Sequence, residues 1–555
     1  MDKDILALKL NRVVWISLLE KEEYEKAINF FDTYISGLDK IKAVSEYKDL
    51  AEEEIKISTK EFLNRLSKIS QKFYDNGQWS DAAICYAAYF KYKSDDFEML
   101  KNFSDCLGSL NQHDLKNELL HILDTAKITE PEQYKILAQI FAKDNNPAKS
   151  TEYINKYFNA MGSDITAFEY NLRGCFYNSL FSEITQNIED AYISLRDFEK
   201  ASDLEPNQNL YAKNATIMAG KCEEAKIGRK YWDRVLKNGN LSNDDKYDYA
   251  AFCLKNEDFN GWHEYFDARF DKENNATPFP KINKQRWNGK KDLSKSTLLV
   301  RCEQGFGDTF LMYGYMQRLT KLAKKVIFVV QDAIYPLLKE NNLGVEVFPE
   351  SKNLDEIKFD CYIPSMSIPI ALKMTRKDLS VGEGYIKADP KLVAEYKEKY
   401  FNNDKFKIGL SFSGSCSGNK TRDIKVENML PLDELENVEL YSLTKDLKED
   451  AFSCFKNHKV KTEVSTFNDF SQTAAYIENL DIVLTADNCI LNLSGALGKK
   501  TFALFNWSYE FRWFDLSGDN VVWLTSVKPF KNDVYNDWSS SINKAIKEIK
   551  KLIKN

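Results

Sequence analysis

The stretch Leu299-Val300-Arg301-Cys302-Glu303-Gln304-Gly305-Phe306-Gly307-Asp308-Thr309 decides the fold. An apolar run feeds a glycine turn, and helical spacing resumes near Thr309. That strand–turn–helix order opens a doubly wound α/β sheet, whose ligands bind beyond the C-terminal ends of its strands. Glycines at 305 and 307 suit unusual dihedrals and close approach of a ligand to the backbone. A dinucleotide-binding fingerprint would use Asp332, past the next strand, as its ribose-binding acid. It would also need a third glycine where Phe310 stands, and Phe310 breaks it.

Outward from that stretch the same texture repeats. Short apolar runs stand at 296–302, 325–331 and 359–364, then at 407–413, 438–444, 481–487 and 500–506. Separated by helical stretches, they predict parallel strands buried on both faces. A polar helical connection at 391–404 divides the two groups. Two Rossmann-like lobes are therefore expected over 271–400 and 401–555, the second closing on a C-terminal helix.

Upstream, residues 1–270 read as helix after helix, with almost no proline. Apolar positions fall at helical spacing, as in Phe62, Leu66, Ile69 and Phe73, then Ala82, Ala83, Tyr86 and Phe90. Turn-like stretches at Asp75–Trp79, Leu110–His113 and Asp144–Pro147 recur at roughly 34 residues, the period of tetratricopeptide repeats. The segments 22–31 and 198–207, the latter stopped by Pro206, read as further repeat helices. The expectation is an α + α/β chain in which a degenerate helical-repeat arm precedes the two lobes. The arm's concave face would bind a partner protein. Its alternative uses are a spacer or a homodimerisation arm. Tyr86, Tyr89 and Phe90 fit a groove, or a core.

Hydrophobic residues at 43% and charged residues at 29% fit a well-folded chain, and 555 residues exceed one ordinary core. A net charge of -7 leaves no cationic excess for phosphate-rich partners, which argues against general nucleic-acid binding. No run approaches the roughly 18 consecutive apolar residues of a membrane span, and the start lacks a signal-peptide pattern. The ten cysteines are scattered singly, which excludes zinc-site spacing and disfavours a disulfide framework. A cytoplasmic location is expected.

Two readings stand at Asp308, on the glycine turn at a helix start. It is an N-terminal cap, or a general base that takes a proton from an attacking hydroxyl. The chain holds four histidines, and only His458 lies in the second half. Histidine-centred catalysis is therefore disfavoured and an acidic base favoured, with Glu303 next in line. No D-x-D metal motif stands among these strands and turns, so neither metal nor cofactor is expected.

The runs Gly261–Phe270, Phe279-Pro280, Arg286-Trp287-Asn288-Gly289 and Cys302–Asp308 resemble bacterial tetratricopeptide-repeat proteins with a heptosyltransferase-like region. That group is similar to the lipopolysaccharide heptosyltransferases and, more distantly, to protein O-GlcNAc transferases. A second stretch runs Asp487-Asn488-Cys489-Ile490-Leu491-Asn492-Leu493-Ser494-Gly495-Ala496-Leu497-Gly498. Relatives read D-T/S-x-x-x-H-x-A-G-A-L-G there, so Asn492 replaces a histidine and Ser494 an alanine. The resemblance spans about 255–530. It implies a metal-independent glycosyltransferase of the two-lobed GT-B type, with Asp308 as base and a nucleotide-diphosphate sugar as donor. The implied donor contacts include Gly305, Gly307 and the loop residues Ser413, Gly414, Lys420 and Arg422. They continue with Thr444, with Asp487, Asn488, Asn492 and Ser494 around a helix N-terminus suited to pyrophosphate, and with Trp507. The implied acceptor is Ser or Thr of a protein, such as a flagellin or adhesin, presented by the arm. A lipopolysaccharide glycan transferase is one alternative. A non-catalytic scaffold with degenerate lobes is the other, kept open by Asn492.

Overall fold

The computed structural model describes residues 2–43, 48–272, 279–341, 343–413, 422–445, 447 and 449–554. Gly414 and Lys420 lie outside them. The described chain is mostly helical and carries two five-stranded parallel sheets. It divides into two compact units, Met1–Thr185 with Arg196–Leu204, and Gln186–Leu195 with Glu205–Asn555.

One backbone device recurs between paired helices. The residue just past a helix takes a left-handed conformation, and the next N–H donates to the carbonyl five residues back, the Schellman motif. In the first unit it occurs at Gly77, Asn111 and Asn145, with φ of 69°, 56° and 52°. The following N–H groups of Gln78, Gln112 and Asn146 reach Phe73, Leu107 and Phe141 at 2.9 Å. In the second unit Glu223 and Glu257 repeat it, with Glu224 and Asp258 donating at 2.8 Å to Ala219 and Cys253. Within each unit these positions stand 34 residues apart, whereas the same device at Glu22, where the Glu23 N–H reaches Leu18 at 2.9 Å, falls outside that spacing. Only one of the five at that spacing is glycine, and a side chain in that region costs roughly 1–2 kcal/mol. Side chains also bridge neighbouring repeats, as in Tyr74 to Asp105 at 2.7 Å and Lys135 to Glu169 at 3.0 Å. The rhythm lapses where the Ala167–Ser179 helix runs into a π-helical turn, Leu180–Thr185.

Phe31 stacks on Phe62 at 3.8 Å in the first unit, with Trp15 edge-on to Phe31 at 5.1 Å. Tyr86 and Tyr89 are buried in the same cluster. They are core residues, because at helical spacing they face the neighbouring helices.

The first sheet holds β1 (Gln285–Arg286), β2 (Thr297–Arg301), β3 (Lys325–Val330), β4 (Val345–Pro349) and β5 (Cys361–Pro364), in the order β1-β5-β2-β3-β4. The second holds β6 (Phe406–Ser411), β7 (Val438–Ser442), β8 (Ile482–Ala486), β9 (Thr501–Phe505) and β10 (Val527–Lys531), in the order β10-β9-β8-β6-β7. β8 and β9 are buried at every residue, which is why their sequences read as unbroken apolar runs. The edge strands β4 and β10 were not expected from the sequence. β10 reads VKPFK, and a proline is tolerated only where no ladder partner needs its N–H. The connecting helix Pro390–Tyr400 packs beside the second sheet, with Tyr396 stacked on Phe467 at 5.4 Å. The helix Ser539–Lys554 buries Ile542, Ala545, Ile546 and Ile549 in that lobe's core. Among the described residues no helix is long and apolar enough to cross a membrane.

Candidate functional site

The helix after β2 starts at Phe306, earlier than Thr309, because Asp308 already closes its first turn. The Asp308 carboxylate accepts the Gly305 N–H at 3.0 Å, so its capping role is present in the structure. The left-handed residue of the turn is Gln304, at φ 61°, whereas Gly305 has an ordinary φ of -84°. Gly307 is needed for a different reason. A Cβ there would stand 2.6 Å from Asn492 Nδ2 and 3.4 Å from the Cys489 backbone. The close approach is between the helices Phe306–Tyr313 and Cys489–Leu497, one from each lobe.

Asp308 is buried, and its second oxygen forms an ion pair with Arg512. Arg512 lies in the turn Phe511–Trp513 after β9, and its Nε also donates to Glu510 at 2.8 Å. Burial works against the Arg512 charge, yet Asp308 and Glu510 hold it well above the ordinary arginine value. The turn is anchored by its backbone, since the Trp523 indole donates to the Arg512 carbonyl at 2.7 Å. Tyr247, from the helix Asn243–Lys255, sits edge-on to Phe511 at 6.4 Å. Burial, reinforced by Glu510, pushes its hydroxyl up to about 12.

Beyond β8, Asp487 is half-buried and faces Arg422 at 3.5 Å. Burial raises its carboxyl above the usual range, against the pull of Arg422. Asn488 caps the following helix, accepting the Ile490 N–H at 2.9 Å. Its amide donates to Ser411 Oγ at 3.0 Å and to the Ser413 carbonyl at 3.4 Å, so it pins the end of β6 to the end of β8. Ser494 spends its hydroxyl on the Ile490 carbonyl at 2.7 Å, inside its own helix. Asn492 is buried, donates weakly to the Asn488 carbonyl at 3.4 Å, and its Oδ1 has no partner among the described residues. The Thr444 hydroxyl is likewise buried and unpartnered among them. Trp507, half-buried after β9, has Lys531 Nζ 5.6 Å from its ring.

The structure thus brings Gly307 to Asn492, Asp308 to Arg512, and Asp487 to Arg422. Arg512, which stands between Phe511 and Trp513, is the link that the sequence analysis missed. An arginine inside an aromatic run was the available signal, because a buried guanidinium requires an acid. Glu303, the other acid of the stretch, is held by more bonds than Asp308. Arg269 grips both Glu303 oxygens at 3.0 and 2.8 Å, and the Met366 N–H adds a third bond at 2.9 Å. Among the described residues no three His, Cys, Asp or Glu side chains group as metal ligands. A cavity of about 610 Å³ is lined by Phe259, Arg376, Asn520 and Val522 among others, and by none of the residues above.

No family model matches the chain. Protein FlbA of Caulobacter vibrioides is 22% identical over 313 residues, 51% of this chain and 51% of that protein. The chain therefore spans about half the length of the curated relative it matches. A glycosyl transferase family 9 structure from Veillonella parvula aligns with a TM-score of 0.37 at 12% identity, over 48% of this chain and 99% of that one. PilF of Pseudomonas aeruginosa aligns at 0.30 and 10% identity, over 37% of this chain and 90% of that one. MamA of Desulfovibrio magneticus aligns at 0.27 and 15% identity, over 32% and 94%.

Proposed function

We propose that this chain is a cytoplasmic, metal-independent glycosyltransferase that moves a sugar from a nucleotide-diphosphate sugar to a hydroxyl acceptor. Residues 1–270 form the arm, which presents Ser or Thr of an acceptor protein such as a flagellin or adhesin. Residues 271–400 form the acceptor-side lobe and 401–555 the donor lobe. The observation that carries the reading is the junction of the two parallel sheets. There, the glycine turn that carries the buried Asp308 meets, through Gly307, the helix that follows β8, where doubly wound sheets bind ligands.

In this reading Asp308 accepts the proton of the acceptor hydroxyl. The acceptor oxygen bonds to the anomeric carbon as the bond from that carbon to the diphosphate oxygen breaks, its electron pair leaving on the diphosphate. Lys420, Arg422 and the helix start at 487–494 balance the charge that leaves. Asn488 and Ser494 act by shaping the turn, since their side chains are engaged within the protein. Calorimetry with UDP-, GDP- and ADP-sugars in EDTA tests the reading. Binding of one of them is expected, and binding by none, or only with added divalent metal, overturns it.

A second reading has its own support. Both Asp308 oxygens are engaged, one by Gly305 and one by Arg512, as they would be in a scaffold whose acid only caps a helix.

A further inference from the structure

Arg512 touches Asp308 through Nη1 and Glu510 through Nε, while its Nη2 has no hydrogen-bond partner among the described residues. The half-buried guanidinium lies in the field of the acids Asp308, Glu510 and Asp487. A planar fork with a spare donor is the group best suited to a phosphate, which it binds through two parallel hydrogen bonds. With Nε held by Glu510, a two-bond grip on a phosphate must use Nη1 together with Nη2, so a phosphate competes with Asp308 at Nη1.

We propose that Arg512 is a positioning residue shared between Asp308 and the donor's diphosphate, so that diphosphate binding draws it off Asp308 and frees that carboxylate oxygen for the acceptor proton. The inference rests on the donor reading above. The move is one of the side chain alone. Trp523 holds the Arg512 carbonyl, and Glu510 accepts the Arg512 N–H at 3.0 Å. Asp308 keeps its orientation afterwards, because Oδ2 stays on the Gly305 N–H. Donor and acceptor would then bind in order, with the base exposed only once a leaving group is in place.

The test uses inorganic pyrophosphate and the full chain, titrated by calorimetry into wild type, Asp308→Asn, Arg512→Gln and the double variant. Asp308 competes for Arg512, so Asp308→Asn should tighten pyrophosphate binding about tenfold, and Arg512→Gln should weaken it about tenfold or more. The two changes should not be independent. In the Arg512→Gln background, Asp308→Asn should change the affinity by less than about twofold. Equal tightening in both backgrounds would mean simple repulsion by the Asp308 charge and would overturn the sharing. So would unchanged affinity in Asp308→Asn. Should Arg512→Gln fail to fold, Arg512→Lys serves in its place, since it keeps the charge and loses the fork. No binding by any of the proteins would overturn the donor reading together with the sharing. Binding without the asymmetry overturns the sharing alone.

Discussion

Two arginine–carboxylate pairs flank the turn after β2, and they differ in how much of the arginine is spent. Arg269 gives Nε and Nη2 to Glu303, Nη1 to Asp267 at 2.6 Å and to the Phe266 carbonyl, and a further bond to Ser367 Oγ at 2.8 Å. Its plane lies 4.3 Å and 4.1 Å from the Phe266 and Phe270 rings. Nothing is left with which to recognise a ligand. Arg512 has the same charge but is only half-buried, and it keeps one nitrogen unengaged among the described residues. Glu303 and Asp308 stand on one turn and are both buried acids. The difference teaches that the partner's unspent valence, more than the acid itself, separates a structural pair from a candidate for chemistry.

The largest effect should come from breaking the closed pair. Arg269→Ala strands Glu303 as a buried, unpaired charge, which costs about 3–5 kcal/mol. Urea unfolding followed by circular dichroism should show that loss, and Arg269→Ala with Glu303→Gln should lose less than the separate changes summed. Additive losses would mean that the two side chains are not a coupled pair. The open pair should answer differently. Asp308→Asn should lower turnover by about 10²–10⁴ while melting close to wild type, because asparagine caps nearly as well and Glu510 still partners Arg512. Near-normal transfer would return Asp308 to a cap and erase the contrast between the pairs. The smallest effect concerns the close approach beside the open pair. Gly307→Ala puts a methyl 2.6 Å from Asn492 Nδ2, which should cost about 1–3 kcal/mol as an overpacked contact. Adding Asn492→Ala should recover most of it, and a silent Gly307→Ala would show that the helices have room to part.

The fold was legible where burial was uniform. β2, β3, β8 and β9 are apolar because both faces are covered, and uniform burial leaves a mark on consecutive residues. β10 was not legible, because an edge strand keeps Lys528, Pro529 and Lys531 and still pairs with β9. The repeat was legible through its spacing but not its chemistry, since Asn111, Asn145, Glu223 and Glu257 do the turn work that glycine would advertise. At the site, Asp308 was legible as an acid on a glycine turn, and both readings of it are local. Its partner Arg512 lies more than two hundred residues away, and no periodicity reports a pairing across lobes. Ser494 stands in a recognisable motif, yet only the helix geometry shows its hydroxyl turned back on the Ile490 carbonyl.

The helices Asn209–Lys221, Ala225–Asn238, Asn243–Lys255 and Phe259–Tyr265 share one compact unit with both sheets. Shuffling or grafting that exchanged everything before residue 270 would carry off Tyr247 and Arg269, and leave Glu303 without its cation. A graft joined at Glu205 would spare both. By that measure the exchangeable part of the chain is shorter than its helical part.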